Sequence, residues 1–124
     1  MENIDYYLQN KHKFMRAVPI VVSIMSKRTG SKLALKQPAL LQKIREFIPK
    51  FNSRSLRWVI HEIRVKHLIK GLVADNYGYY IETDLTKILG HVRRLEGYIH
   101  TIREIKGALL HDWMETNKQK LSEK

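Results

Sequence analysis

Four side chains able to recognise a polyanion recur at intervals of three and four residues in the middle of the chain. They are Arg54, Arg57, His61 and Arg64, and in a helix this spacing places them on one side. A guanidinium presents parallel N–H donors, which match O6 and N7 of guanine in the major groove and also match a phosphate group. The spacing therefore predicts a helix whose outer side contacts nucleic acid, through base edges or through the backbone.

The residues between these four predict which side of such a helix would pack against a hydrophobic core. Leu56, Val59, Ile60 and Ile63 form an apolar stripe at helical spacing, so we expect a helix over residues 54 to 67 with this stripe on a core. Ser53 is the expected N-cap. We expect Trp58 to be a half-buried packing residue rather than a base-stacking one. The alternative for the arginine-rich side is a solvated surface with no ligand.

Basic residues are concentrated in the same part of the chain. Between Tyr6 and Ala74 lie fifteen Lys and Arg residues and only two acids, a local net charge of +13 against +11 for the whole protein. From Asp75 onward, eight bases balance eight acids. A surface of one sign repels itself and favours a polyanionic partner. Nucleic acid is the preferred partner, and an acidic protein, an anionic membrane or simple solubility are the alternatives.

Length and composition restrict the remaining possibilities. A chain of 124 residues makes one domain with an appendage, and without cysteine it forms no disulfide or zinc-thiolate site. The longest apolar run, residues 17–25, is far shorter than the roughly 20 residues of a membrane span, and we find no signal peptide. We therefore expect no membrane partner and a cytoplasmic location, in the host cytoplasm if the protein is viral.

The flanking sequence predicts three helices before the arginine-rich one and a hairpin after it. Proline tolerates only the first turn of a helix, so residues 3–16 and a second segment from Pro19 to Lys27 are expected as separate helices. A further helix, residues 39–48, starts at Gln37-Pro38 and stops at Pro49. The strand-prone runs 72–74 and 79–81 flank Asp75-Asn76-Tyr77-Gly78, in which Asn76 and Gly78 can take positive φ. Of Tyr79 and Tyr80, one should face the core and one outward.

A long helix follows, capped by Thr83 or Asp84 and reaching about Asn117. Apolar residues recur seven apart in two series, as in a coiled-coil seam with one lysine. The first series contains Leu85, Val92, Ile99, Lys106 and Trp113, and the second contains Ile88, Leu95, Ile102 and Leu109. The expected partner is a second copy, so we predict a homodimer through this helix.

The expected fold class is mainly α with a small β-hairpin, specifically a winged helix-turn-helix with a long C-terminal helix. Residues 1–82 form the winged-helix domain with its N-terminal helix, residues 83–118 the long helix for packing or dimerisation, and residues 119–124 a frayed tail. The order of elements from about 37 to 110, with Tyr77-Gly78-Tyr79-Tyr80 in the hairpin, resembles small winged-helix proteins of phages and prophages. One departure is that no glycine follows the arginine-rich helix before Gly71.

The resemblance implies a DNA-binding protein of a phage or mobile element that regulates transcription or replication. Base or groove contacts are expected from the four residues of the arginine-rich side, and Tyr77 is expected in the wing turn. Phosphate contacts are expected from Lys32, Lys36, Lys43, Arg45, Lys50 and Lys70. Double-stranded DNA is the preferred partner, and an acidic protein or RNA is the alternative.

Motifs for catalysis are missing from the sequence. There is no phosphate-cradling glycine loop, no HExxH pair and no GxSxG elbow, and no two histidines share i,i+4 spacing on one predicted helix. We therefore expect a protein that is not an enzyme, with no metal, no cofactor and no small-molecule substrate.

Overall fold

The computed structural model describes the backbone of residues 2–118 and the side chains of residues 5 and 8–118, with four α-helices and one two-stranded antiparallel sheet in that range. The elements are α1 (Glu2–Met25), α2 (Gln37–Arg45), α3 (Ser53–Val65), β1 (Leu72–Asp75), β2 (Gly78–Ile81) and α4 (Leu85–Thr116). The chain divides after Asp84 into a first unit, Met1–Asp84, and a second unit, Leu85–Lys124. The predicted class, mainly helical with one hairpin, is confirmed, whereas the predicted frayed tail, residues 119–124, lies outside the described residues.

The first helix is continuous, so the prediction of two separate helices broken at Pro19 was wrong. Proline removes one helical hydrogen bond and costs about 3 kcal/mol in a helix interior. Pro19 itself is exposed, while Phe14, Ala17, Val21 and Met25 are buried at helical spacing on both sides of it. Because burying each of these larger apolar side chains contributes about 1.5–3 kcal/mol, tertiary packing outweighs the proline.

Two short helices follow, and their ends differ slightly from the prediction. Proline lies in the first turn of α2 as expected, but α2 ends at Arg45, before the predicted residue 48. The N-cap of α3 is Asn52 rather than Ser53, and its Oδ1 accepts a 2.8 Å hydrogen bond from the N–H of Ser55. A cap needs extended backbone, which Asn52 has (φ −117°, ψ 171°), whereas Ser53 is already helical.

The core of the first unit lies between α1, α2 and α3. The apolar stripe that the sequence predicted on α3 is buried, and Ser55 is buried with it. Phe51, in the connection between α2 and α3, is among the largest fully buried side chains of the described residues. The stripe therefore fixes which side of α3 is turned away from the core.

The end of α3 uses a histidine in place of a glycine. The N–H of Leu68 donates to the carbonyl of Ile63 (3.0 Å) and the N–H of His67 donates to that of Arg64 (3.3 Å), which is the Schellman pattern. His67 takes the left-handed conformation this pattern requires, with φ 57°. The helix therefore stops at Val65, two residues earlier than predicted, without a glycine.

The hairpin pairs β1 with β2 in the expected place, with Val73 opposite Tyr80 and Ala74 opposite Tyr79. On its other edge β2 pairs with the connection between α1 and α2, where the N–H groups and carbonyls of Leu35 and Tyr79 exchange hydrogen bonds of 2.8 and 3.0 Å. Both edges of β2 are thus occupied, which ties the hairpin to the start of α2.

Only one of the two residues expected at positive φ in the hairpin turn takes it. Gly78 has φ 114°, whereas Asn76 is not in the left-handed region. A Cβ atom at Gly78 would lie 2.4 Å from the carbonyl oxygen of Leu35. Gly78 is therefore required both by its backbone conformation and by the close approach of the neighbouring strand.

The long helix begins after Asp84, as predicted. Just before it, the carboxylate of the buried Glu82 accepts hydrogen bonds from the N–H groups of Thr83 (3.0 Å) and Asp84 (3.3 Å). No residue of α4 is buried. Within the described residues, no helix combines the length and apolarity that crossing a membrane requires.

Candidate nucleic-acid interface

The side of α3 that faces away from the core carries the four residues singled out in the sequence. Arg54, Arg57, His61 and Arg64 are all exposed, while the stripe on the opposite side is buried. The side-chain cap at Asn52 and the Schellman turn at its other end satisfy terminal backbone groups of α3. The four side chains are thus presented by a helix held at both ends and along one side.

An aromatic ring lies among these side chains. Arg54, Arg57, Trp58 and His61 line a depression of about 460 Å³. The Trp58 ring stacks on Phe14 of α1, with centroids 6.4 Å apart and an interplanar angle of 26°, and meets the His61 ring edge-on at 6.2 Å. Trp58 is half-buried, as expected for a packing residue, and its contact with α1 holds the middle of the arginine-rich side.

The hairpin contributes Tyr79, for which the sequence predicted an alternation with Tyr80 between the core and the outside. Burial raises the pKa of the Tyr79 hydroxyl above its ordinary value, while the positive charges of Arg57 and Arg64 act in the opposite direction. These two guanidiniums are therefore close enough to the hydroxyl to influence it. Because the pKa is raised, the hydroxyl is a neutral hydrogen-bond donor at physiological pH.

The alternation of side chains along β2 explains why Tyr79 is placed there. Tyr80 is only 4% exposed, and its hydroxyl donates a 2.5 Å hydrogen bond to Oδ2 of Asp75. Tyr79 points to the other face of the strand, where it is half-buried and packs against the core, so the two tyrosines alternate but neither is exposed. The alternation of side chains along β2 was the signal in the sequence that could have identified Tyr79. Which face of β2 is directed toward α3, however, depends on tertiary packing.

Two guanidiniums of this surface, those of Arg57 and Arg64, have no carboxylate partner among the described residues. In the described part of the chain, the ion pairs join Lys66 to Glu62 and His100 to Glu104, and neither Arg57 nor Arg64 takes part in one. Exposed guanidiniums without a carboxylate partner keep their donors available for a ligand.

Most of the lysines expected to contact phosphate are exposed. Lys32, Lys36, Lys50 and Lys70 are exposed, and Lys43 is half-buried. Lys36 comes closest to the hairpin, since it lines a second depression of about 280 Å³ together with Asn76 and Tyr79. The others are not brought into either depression.

Two further predicted contacts have structural partners of their own. Nε of Arg45 donates a 2.7 Å hydrogen bond to the carbonyl of Phe51, which joins the end of α2 to the connection that precedes α3. Tyr77 is 62% exposed in the hairpin turn, and its N–H donates to Oδ1 of Asp75 at 2.8 Å. Arg45 therefore has a positioning role, whereas the Tyr77 ring extends from the turn.

The chemistry of the surface is that of a binder of anions. It offers guanidinium, ammonium, imidazole and phenol donors, and no group of three His, Asp or Glu side chains among the described residues could hold a metal ion. No protein family, curated protein or solved structure matches this chain.

Proposed function

We propose that the first unit is a winged helix-turn-helix module that binds double-stranded DNA. In this proposal α2 supports α3, α3 enters the major groove, and the β1–β2 hairpin contacts the adjoining backbone. The observation that carries the proposal is the exposed side of α3, where Arg57 and Arg64 share their surroundings with Tyr79 of the hairpin. Helix and hairpin then act on one ligand.

The charge distribution and the held hairpin support this function. The net charge of +13 between Tyr6 and Ala74 would attract a duplex over a distance of about 10 Å at moderate salt. Strand β2 is bonded on both edges, so the hairpin is held against the connection that precedes α2. A recognition surface with little freedom to lose on binding has a smaller entropic cost.

The four residues on α3 are assigned to base edges or the groove, and the lysines around it to phosphates. Arg57 is the residue to test first. It lines the depression beside Trp58, and its positive charge also acts on the pKa of Tyr79. The resemblance to phage and prophage winged-helix proteins favours a regulator of transcription or replication. The preferred duplex sequence is to be found first, by selection from random duplexes.

The test compares two arginine variants in fluorescence-anisotropy titrations of the selected duplex. Arg57→Ala should weaken binding by about 1–3 kcal/mol and relax the preference at one base pair if Arg57 reads a base. A loss that is equal on every sequence would assign Arg57 to a phosphate instead. Arg16→Ala is the matched control, because it removes the same charge from an exposed position on α1.

Two results would overturn the proposal. One is the absence of duplex binding at low salt. The other is an equal loss for Arg57→Ala and Arg16→Ala, because that would reduce the arginine-rich side of α3 to net charge alone. Displacement of the duplex by an equal concentration of structured RNA would reassign the ligand to RNA.

A further inference from the structure

Most of the exposed large hydrophobic side chains of the described residues lie on α4. Twelve large hydrophobic side chains of this helix are 42–70% exposed, although they occupy positions typical of a buried seam. Written as heptads starting with Leu85 at position a, the a positions are Leu85, Val92, Ile99, Lys106 and Trp113, and the d positions are Ile88, Leu95, Ile102 and Leu109. At 1.5 Å per residue, the 32 residues of α4 extend over about 48 Å.

We propose that α4 pairs with α4 of a second copy of this chain in a parallel, in-register coiled coil. A repeat of 3.5 residues is complementary to another helix with the same repeat, because each a or d side chain then enters a space between four side chains of its partner. The seam runs through the whole length of α4, so the partner must be a helix of similar length. A second α4 fulfils that requirement without any further protein.

The coverage of the apolar residues supports a second copy. Of the twelve exposed hydrophobic residues, seven lie at a or d and four at e or g, next to the seam, so pairing would cover all except Met114. Charge does not oppose pairing either. Between Leu85 and Thr116 there are five Lys and Arg residues and four acids, in contrast to the strongly positive first unit.

The residues that flank the seam favour the parallel arrangement. In a parallel pair each g position faces the e position five residues later in the other copy. His91 would face Glu96, Tyr98 would face Arg103, and Ile105 would face Leu110. None of these three contacts joins like charges.

An antiparallel pair is less favourable at the same positions. If Leu95 of one copy packs against Ile99 of the other, Glu96 comes beside Glu96 of the second copy. Two like charges in direct proximity oppose association. The parallel arrangement separates these carboxylates, whereas this antiparallel register, with the central layers aligned, does not.

The seam also favours two helices over three or four. Val92 and Ile99 at a are β-branched, and Leu95 and Leu109 at d are leucines, a combination that favours dimers, whereas Ile88 and Ile102 at d do not add to this preference. Lys106 is the one charged a residue. In a dimer its aliphatic stem can lie along the seam with the ammonium group in water, and a single such residue sets register at some cost in stability.

Pairing has a consequence for recognition, which rests on the proposed DNA binding. A parallel pair brings the two Leu85 residues together, so both first units join the coiled coil at the same end. Two copies of α3 would then read a site made of two related halves. Selection from random duplexes should recover a two-part sequence.

The association itself is tested without DNA, by sedimentation equilibrium of the full chain at micromolar concentrations. The expected mass is twice the 14.7 kDa of one chain. Ile99→Asp, on the seam, should halve the measured mass, whereas Thr101→Asp, at an exposed position off the seam, should leave it unchanged. A monomeric wild type at high micromolar concentration, a trimer or tetramer, or equal effects of the two variants would overturn the proposal.

Orientation is tested by a cysteine that keeps the seam apolar. The protein has no cysteine, so Leu95→Cys introduces the only thiol. In a parallel pair two such residues face each other, and mild oxidation should give a disulfide-linked dimer on a non-reducing gel. Linkage only when Leu95→Cys is mixed with Ile99→Cys would show an antiparallel pair and overturn the parallel arrangement.

The outcomes separate the two proposals. A dimer that binds no duplex would reject the proposed function and leave the coiled coil intact. A monomer that binds duplex with the expected dependence on Arg57 would reject the coiled coil and leave the proposed function intact.

Discussion

At the scale of single residues, the function proposed here depends on donors that keep their protonation state. The guanidiniums are always charged at accessible pH. Tyr79 is neutral, because burial raises its pKa despite the opposing effect of Arg57 and Arg64. A neutral phenol can donate a hydrogen bond to a phosphate oxygen, whereas a phenolate would repel it.

We therefore expect Tyr79→Phe to weaken duplex binding by about 0.5–1.5 kcal/mol, the usual net value of one hydrogen bond. The difference from wild type should stay constant from about pH 6 to pH 9, since the raised pKa keeps the hydroxyl protonated throughout. Anisotropy titrations at three pH values measure it.

The control for this variant is Thr101→Val, which removes a hydroxyl from an exposed position off the seam of α4. It should leave duplex affinity unchanged. Equal affinities for wild type and Tyr79→Phe would show that the hydroxyl only packs, and a difference that vanishes toward pH 9 would show that it titrates in that range.

At the scale of elements, the hairpin depends on a residue that has no side chain. Gly78 combines φ 114° with a strand so close that a Cβ would lie 2.4 Å from the carbonyl oxygen of Leu35. Any other residue at position 78 would have to displace the backbone of Leu35 and so disrupt the hydrogen bonds between Leu35 and Tyr79. The position of Tyr79 beside α3 thus depends on Gly78.

Gly78→Ala should lower the free energy of unfolding by about 1–3 kcal/mol, because strained backbone and steric overlap both oppose the native turn. Gly90→Ala is the matched control. It introduces the same methyl group on α4, where nothing lies within 4 Å, and should be neutral or stabilising by up to about 1 kcal/mol. Urea denaturation followed by circular dichroism compares them.

An unchanged midpoint for Gly78→Ala would contradict the close approach of Leu35. Destabilisation by Gly90→Ala would instead indicate that another helix packs closely on that side of α4.

At the scale of the whole molecule, charge and apolar surface are separated along the chain. The first unit carries the positive charge and the arginine-rich side of α3, whereas α4 is nearly neutral and carries exposed apolar residues. The two proposed partners are therefore assigned to different elements of the chain.

Duplex binding should depend strongly on salt. If about six phosphates are neutralised, the logarithm of the affinity should fall with the logarithm of salt concentration with a slope of about −5. Titrations between about 50 and 200 mM salt measure the slope. Lys36→Ala should make it shallower by about one if Lys36 contacts a phosphate. A slope near zero would exclude the proposed phosphate contacts.

The sequence by itself determined the features that depend on local pattern. Helical spacing in residues 54–67 identified the buried stripe of α3 and the side left outside it, and the turn residues before Tyr79 located the hairpin. Such features follow from the geometry of one element, in which the positions of side chains are set by the backbone period.

Tertiary structure decided the features that depend on contacts between distant residues. Packing on the core keeps α1 helical across Pro19, and the close approach of Leu35 makes glycine necessary at position 78. His67 adopts a left-handed conformation that sequence pattern would assign to glycine. Tyr79, rather than Tyr77, came to lie beside Arg57 and Arg64 for the same reason. Each of these outcomes is set by a free energy summed over several elements, which no local stretch of sequence contains.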